Sequence, residues 1–174
     1  RNWKDTDLEP YAQLNLDPSV MEHFPSLMSL DESEQSVGRV IKHFEVNDFG
    51  LWAAELKENG KFIGFIGLQR VPFEAAFTPA VEVGWRLAKE FWGQGLAPEG
   101  AEAAMKDAFD RIKLDEIVSM TTTTNKKSMR VMEKLGMTRD PLEDFDHPRV
   151  PVGPHQRHSL YRETINPSQT RTTD

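Results

Sequence analysis

The segment from Val81 to Ile112 constrains this chain most. It reads VEVGWRL, a short linker, WGQG, and then LAPEGAEAAMKDAFDRI. Glu82 alternates with Val81 and Val83 as strand residues do, while Ala101, Ala104, Met105, Ala108 and Ile112 recur at helical spacing. The run Glu116–Thr123 then reads as a further strand. A strand, a helix and a strand in that order require a parallel pair with a right-handed crossover. Gly93 and Gly95, at the junction, let the backbone approach a ligand closely. Pro98 removes a donor that the first helical turn would have left orphaned. The remaining N–H groups and the helix dipole form an anion cradle suited to a pyrophosphate. The plainer alternative is a turn that needs its glycines for geometry alone.

The rest of the chain fits around this unit. Thr6 and Glu9 have capping-box spacing ahead of a helix through Leu8, Tyr11, Ala12 and Leu16, which Asp17-Pro18 ends. A second helix is expected from Asp31 to Phe44. Leu51–Lys57 and Lys61–Arg70 form strands joined by Glu58-Asn59-Gly60, a strong hairpin signal. Val71–Pro79 is a loop and Ala80–Leu87 the third strand. Asn125–Leu135 is a helix ended by Gly136. A Pro-rich stretch, DPLEDFDHPRVPVGPH, precedes a last strand at His158–Ile165. The opening Arg1-Asn2-Trp3 reads as the tail of a strand. The expected fold is α+β: one domain over residues 1–165, a mixed and mostly antiparallel sheet flanked by helices, then a disordered polar tail over 166–174.

Composition removes several function classes. The chain has 174 residues and a formal net charge of −7, against the basic surface that nucleic acid selects. It has no cysteine, so disulfides, thiolate metal sites and a cysteine nucleophile are excluded. No apolar run nears the roughly 20 residues of a membrane span, and no signal peptide is visible. A cytoplasmic protein without membrane or nucleic-acid partners is expected, either monomer or homodimer. His147, His155 and His158 are irregularly spaced in a Pro-rich region, and no metal site is expected from them.

Two common phosphate-binding motifs fail. The dinucleotide pattern needs a third glycine where Pro98 stands, and the next strand ends in threonines rather than an acidic residue. No G-x-x-x-x-G-K-[ST] is present. Instead VEVGWRLAKEFWGQGLAPEGAEAA, followed by TTNKKSMRVMEKLGM, resembles the GNAT superfamily of acyl-CoA-dependent N-acetyltransferases. The superfamily loop Q/R-x-x-G-x-G/A falls on Trp92-Gly93-Gln94-Gly95-Leu96-Ala97, with Trp in the first place. That W-G-x-G-x-A variant is similar to the branch of ribosomal-protein N-terminal acetyltransferases. So are Asn125, Ser128 and Gly136 in the later helix, the opening RNWKDTDLEPYAQLNLDP, DFDHP and the closing H-x-L-Y-R.

The resemblance implies acetyl-CoA as cosubstrate, without a metal, and a splayed parallel strand pair. The pantetheine arm would bond the strand backbone around Trp85–Leu87, and the pyrophosphate would rest on Gly93, Gln94, Gly95, Leu96 and Ala97. Trp92 would cover the cofactor. Asn125 would bond the cofactor arm or serve only as a helix N-cap. Glu82 is the candidate base, with a solvated or paired strand glutamate as the alternative. The tyrosine acid usual in much of the superfamily is replaced by Met132. Ser128 is the candidate acid near the sulfur, or else a cap-turn serine; Tyr161 is a weaker candidate.

The acceptor is expected to be a primary amine, on a protein N-terminus or a small molecule. Deprotonating a lysine-type amine of pKa about 10.4 costs roughly 4–5 kcal/mol at neutral pH, whereas an α-amine near 7.7–8.0 costs about 1 kcal/mol. Asp31, Glu32, Glu74, Glu143, Asp144 and Asp146 hint at a cationic acceptor, or are simply a solvated surface. The competing reading is a catalytically idle acyl-CoA-binding module.

Overall fold

The computed structural model describes residues 1–164. Its α-helices are α1 (Leu8–Leu16), α2 (Leu30–Asn47), α3 (Leu96–Asp107) and α4 (Lys126–Lys134). Its strands are β1 (Leu51–Glu55), β2 (Phe62–Arg70), β3 (Val81–Leu87), β4 (Glu116–Thr122), β5 (Phe145–Asp146) and β6 (Arg157–Thr164). They form one sheet in the order β1-β2-β3-β4-β6-β5, with every pairing antiparallel except β3 against β4. The expected α+β fold is the observed one. The predicted tail at 166–174 lies outside the described residues.

Local chemistry explains most boundaries. At the hairpin, Gly60 takes φ 71° and Asn59 Oδ1 accepts the Lys61 N–H at 3.0 Å. Gly64 cannot be replaced without moving backbone, because a Cβ there would lie 2.0 Å from the Arg86 carbonyl oxygen. Ser29 caps α2 by accepting the Glu32 N–H, while Glu32 accepts from the Ser29 N–H. Helix α3 starts at Leu96, ahead of Pro98, since the Gly95 carbonyl, at φ 82°, accepts the Glu99 N–H and so caps it. Past Asp107 the helix widens into a π turn over Ala108–Ile112.

Two expectations are corrected. Thr6 and Glu9 do not make the capping box of α1. Instead Asp7, 2% exposed, accepts the Lys4 N–H at 2.8 Å and the Arg1 guanidinium at 2.7 and 2.9 Å. A buried aspartate that can satisfy both partners outcompetes a surface threonine. The Pro-rich stretch also contains β5, where Phe145 and Asp146 pair with His158 and Arg157. The opening residues 1–3 form no strand, although Arg1 exchanges two backbone bonds with Ala53, at 3.0 and 3.1 Å.

The core lies between the sheet and α3. Val81, Val83 and Leu87 of β3 pack with Ala101, Ala104, Met105 and Ala108. The odd-numbered positions of β3 therefore face the core. Glu82, Gly84 and Arg86 face the other side of the sheet, where α1 and the segment after it lie.

Candidate active site

The parallel pair β3–β4 holds a single register pair, Glu82 with Val118. One residue further on, the ladder is already replaced by a side chain: Ser119 Oγ donates to the Val83 carbonyl at 2.9 Å. Beyond that point no β4 residue pairs with Gly84–Leu87, so the two strands part. The β2–β3 register and the Ala88 N–H to Ile63 carbonyl bond show that even-numbered residues of β3 bond β2. The odd-numbered backbone groups therefore face the gap. The Leu87 carbonyl there is taken by the Trp92 indole N–H at 2.8 Å. Among the described residues, no β4 residue pairs with the Trp85 N–H, the Trp85 carbonyl or the Leu87 N–H.

A cavity of about 580 Å³ runs through this gap. Glu82, Trp85, Leu87, Trp92, Gly93, Gly95, Leu96, Ala97, Asn125 and Ser128 all line it. Gln94 does not; its side-chain amide turns away to the Glu90 carbonyl at 2.8 Å. Gly93 and Gly95 have φ 75° and 82°, and a Cβ on either would meet no protein atom. The cradle is thus glycine for its backbone conformation, and the space above it is open. Lys127, Arg130 and Lys134 line the cavity from α4, at helical positions i, i+3 and i+7. The Lys127 ammonium sits 4.5 Å from the centre of the Trp92 ring. A chain of net charge −7 thus brings three cations of one helix to the cavity, Lys127 beside the cradle itself.

At the other end Glu82 stands opposite Gln69 in register, and the Gln69 amide donates to its carboxylate. Burial pushes the Glu82 pKa above the usual carboxylate range, and the Gln69 bond opposes that only in part. Phe73, His147 and His158 line the cavity nearby, the two imidazoles 4.9 Å apart between centres. Burial and the neighbouring His158 and Arg149 lower the His147 pKa to about 4. The His158 Nδ1–H faces the Gln156 carbonyl at 3.0 Å, which leaves Nε2 as an acceptor. Among the described residues no three His, Asp or Glu side chains gather as a metal site would need.

The acid candidates separate. Asn125 accepts the Ser128 N–H at 3.2 Å, so its N-cap role is realised. Its amide donates to Thr121 Oγ1 at 3.0 Å and to Ser128 Oγ at 3.1 Å. Ser128 Oγ therefore accepts from Asn125, and its own proton can be given into the cavity. Met132 is 1% exposed and fills its place as core. The Tyr161 hydroxyl donates to Glu133 at 3.3 Å and is outside the cavity lining.

Of the six acidic residues that hinted at a cationic acceptor, Asp31, Glu32, Glu74, Glu143, Asp144 and Asp146, four are committed elsewhere. Glu32 caps α2, Asp144 pairs with Arg139, Glu143 with Arg162 at 2.7 Å and Asp146 with Arg157 at 3.3 Å. None lines the cavity. Arg86, which does line it, is the residue that sequence reading missed. It shares the Glu82 face of a strand whose opposite face is apolar, and that alternation was its available signal.

Comparison with known proteins follows the same lines. The model of the acetyltransferase (GNAT) domain family matches residues 1–138. The FsC-acetyl coenzyme A-N(2)-transacetylase of Aspergillus fumigatus is 32% identical over 176 aligned positions, covering 92% of this chain and 73% of that protein. The solved acetyltransferase of Agrobacterium tumefaciens C58 superposes with a TM-score of 0.78 at 26% identity, covering 95% of this chain and 89% of its own. The RimL ribosomal L7/L12 alpha-N-protein acetyltransferase, solved with coenzyme A, shares the fold with a TM-score of 0.74 at 17% identity, covering 95% and 92%.

Proposed function

The chain belongs to the GNAT acetyltransferase family, and on that premise we propose that it carries an acetyl group from acetyl-CoA to a primary amine by direct attack in a ternary complex. One observation carries the reading: one cavity joins a helix N-terminus flanked by Lys127, a strand edge parted from its neighbour and the half-buried Glu82 carboxyl. The N–H groups from Gly93 to Ala97 would take the pyrophosphate, with Lys127, Arg130 and Lys134 adding charge. The pantetheine amides would pair with the open backbone of Trp85 and Leu87 as an added strand. The solved relative with bound coenzyme A supports the choice of cofactor.

In the reaction the amine nitrogen attacks the thioester carbonyl carbon. The C–N bond forms, the oxyanion develops on the carbonyl oxygen, and a backbone N–H of β3 offers it a hydrogen bond. Glu82 takes the proton the ammonium sheds, directly or through one water. Its raised pKa brings it closer to the operating pH and makes it a better match for that task. The C–S bond then breaks, and Ser128 Oγ donates to the departing thiolate. An α-amine needs only this modest base. The N(2) in the name of the fungal relative and the alpha-N in that of the solved one favour such an acceptor.

The experiment is thiol release from acetyl-CoA across a panel of amines, for wild type and Glu82→Gln. The proposal predicts turnover in the wild type and a variant that binds acetyl-CoA as tightly but turns over at least about 100-fold more slowly. The idle-module reading predicts binding with no turnover in either.

A further inference from the structure

Arg86 carries charge into the cavity without an answering carboxylate. Its guanidinium lies between the rings of Phe24 and Phe65, 4.2 and 5.5 Å from their centres. Nη1 is held by Asn15 Oδ1 at 2.7 Å and touches Met28 Sδ at 3.6 Å. Among the described residues Nε, though buried, has no hydrogen-bond partner, and Nη2 has none either. Nε and Nη2 form one edge of the guanidinium plane, the edge that grips a carboxylate with two parallel hydrogen bonds. A buried donor left unpaired is costly, so this edge is suited to an incoming acceptor group.

Its place on β3 says what. Glu82, Gly84 and Arg86 are alternate residues on one face, so Gly84 lies roughly 7 Å from each along the strand. Gly84 has open space where a side chain would stand. It is a floor between a base and a cation. We propose that the acceptor is zwitterionic: an amino acid or a close analogue, its amine over Gly84 toward Glu82, its carboxylate bidentate on the Nε–Nη2 edge of Arg86. The reach of the strand sets the amine and carboxylate within about 7 Å of each other, as in α- to γ-amino acids. This rests on the acetyl-transfer reading above and narrows its acceptor. It also reverses the expectation of a cationic acceptor, since the acidic residues behind that expectation do not line the cavity.

The test uses the whole chain. Amino acids, their carboxamides and the matching decarboxylated amines are assayed by thiol release with wild type, Arg86→Lys and Arg86→Met. Arg86 acting on the carboxylate gives the free acid at least a tenfold advantage over its amide in kcat/KM, carried by KM. That advantage disappears in Arg86→Met and is partly kept in Arg86→Lys, while acetyl-CoA affinity measured by calorimetry stays unchanged. Calorimetry of the CoA-bound protein with N-acetylglycine against N-acetylglycinamide reads the same site without turnover. It stands even if Arg86→Met fails to fold or if acetyl transfer itself is not found. Equal affinity for that pair, equal turnover of acid and amide, or a preference that survives in Arg86→Met would overturn the proposal. Thiol release from other amines with none from these amino acids would do so as well.

Discussion

Replacing Gly95 by alanine separates what the fold needs from what a ligand needs. Gly95 caps α3 at φ 82°, and a Cβ added there meets no protein atom. The new methyl therefore clashes with nothing, and only the left-handed conformation is penalised, by about 1–2 kcal/mol. The stiffer unfolded chain offsets about 0.4–1 kcal/mol of that. The net loss is about 1 kcal/mol, or roughly 2–4 °C in Tm for a domain of this size. Gly60 is the control: φ 71° in an exposed hairpin turn, again with nothing within reach of a Cβ. Gly60→Ala should cost the same stability. The two variants part at the cradle, because the methyl at position 95 enters the space assigned to the pyrophosphate. Gly95→Ala should weaken acetyl-CoA binding at least tenfold, about 1.4 kcal/mol, and Gly60→Ala not at all. Thermal unfolding and calorimetric titration of both proteins are the assay. Equal stability losses with unchanged acetyl-CoA affinity in both would refute the cradle and leave Gly95 as a turn residue.

Further outcomes follow from the titrating groups. Burial raises the Glu82 pKa in the fold, so its ionisation costs stability as pH climbs above the ordinary carboxylate range; Glu82→Gln should melt no lower than wild type at neutral pH while losing turnover. Proton NMR should give His147 a midpoint near pH 4, with stability falling as pH drops from 6.5 toward that value, since the unfolded chain takes the proton first; a midpoint at 6.5 would contradict its burial. At Asp7 burial raises the pKa, but the bonds from Arg1 and Lys4 outweigh it and hold it below its ordinary value. Its stabilisation is present above the unfolded pKa and is lost as pH falls through the folded one, so Asp7→Asn should flatten the acid limb of the denaturation curve.

The parts of this molecule that local chemistry decides were legible in the sequence. Asn59-Gly60 announced its hairpin, and Trp92–Ala97 announced a strand-to-helix junction with room for an anion. The splay was implied only through the family resemblance, because it depends on Ser119 replacing a ladder bond to Val83. The Lys127, Arg130 and Lys134 stripe could be counted along α4, but its target becomes visible only once α4 lies beside the cradle. The pairing of His147 with His158 follows from β5 against β6, a contact no spacing along the chain encodes. Asp7 outcompeted Thr6 because Arg1 was available, held in place by the distant Ala53 and Glu55. Arg86 was hidden for a related reason: alternation gives its face, but not the Asn15, Phe24 and Phe65 that enclose it.

The most direct measurement is calorimetric titration of the protein with acetyl-CoA, free CoA and NADH in parallel. A cradle and splayed edge built for an acyl-CoA predict binding of acetyl-CoA and CoA on the order of micromolar, and none of NADH, whose dinucleotide motif Pro98 interrupts. No heat from acetyl-CoA would contradict the account and leave Gly93 and Gly95 as the geometry of a turn.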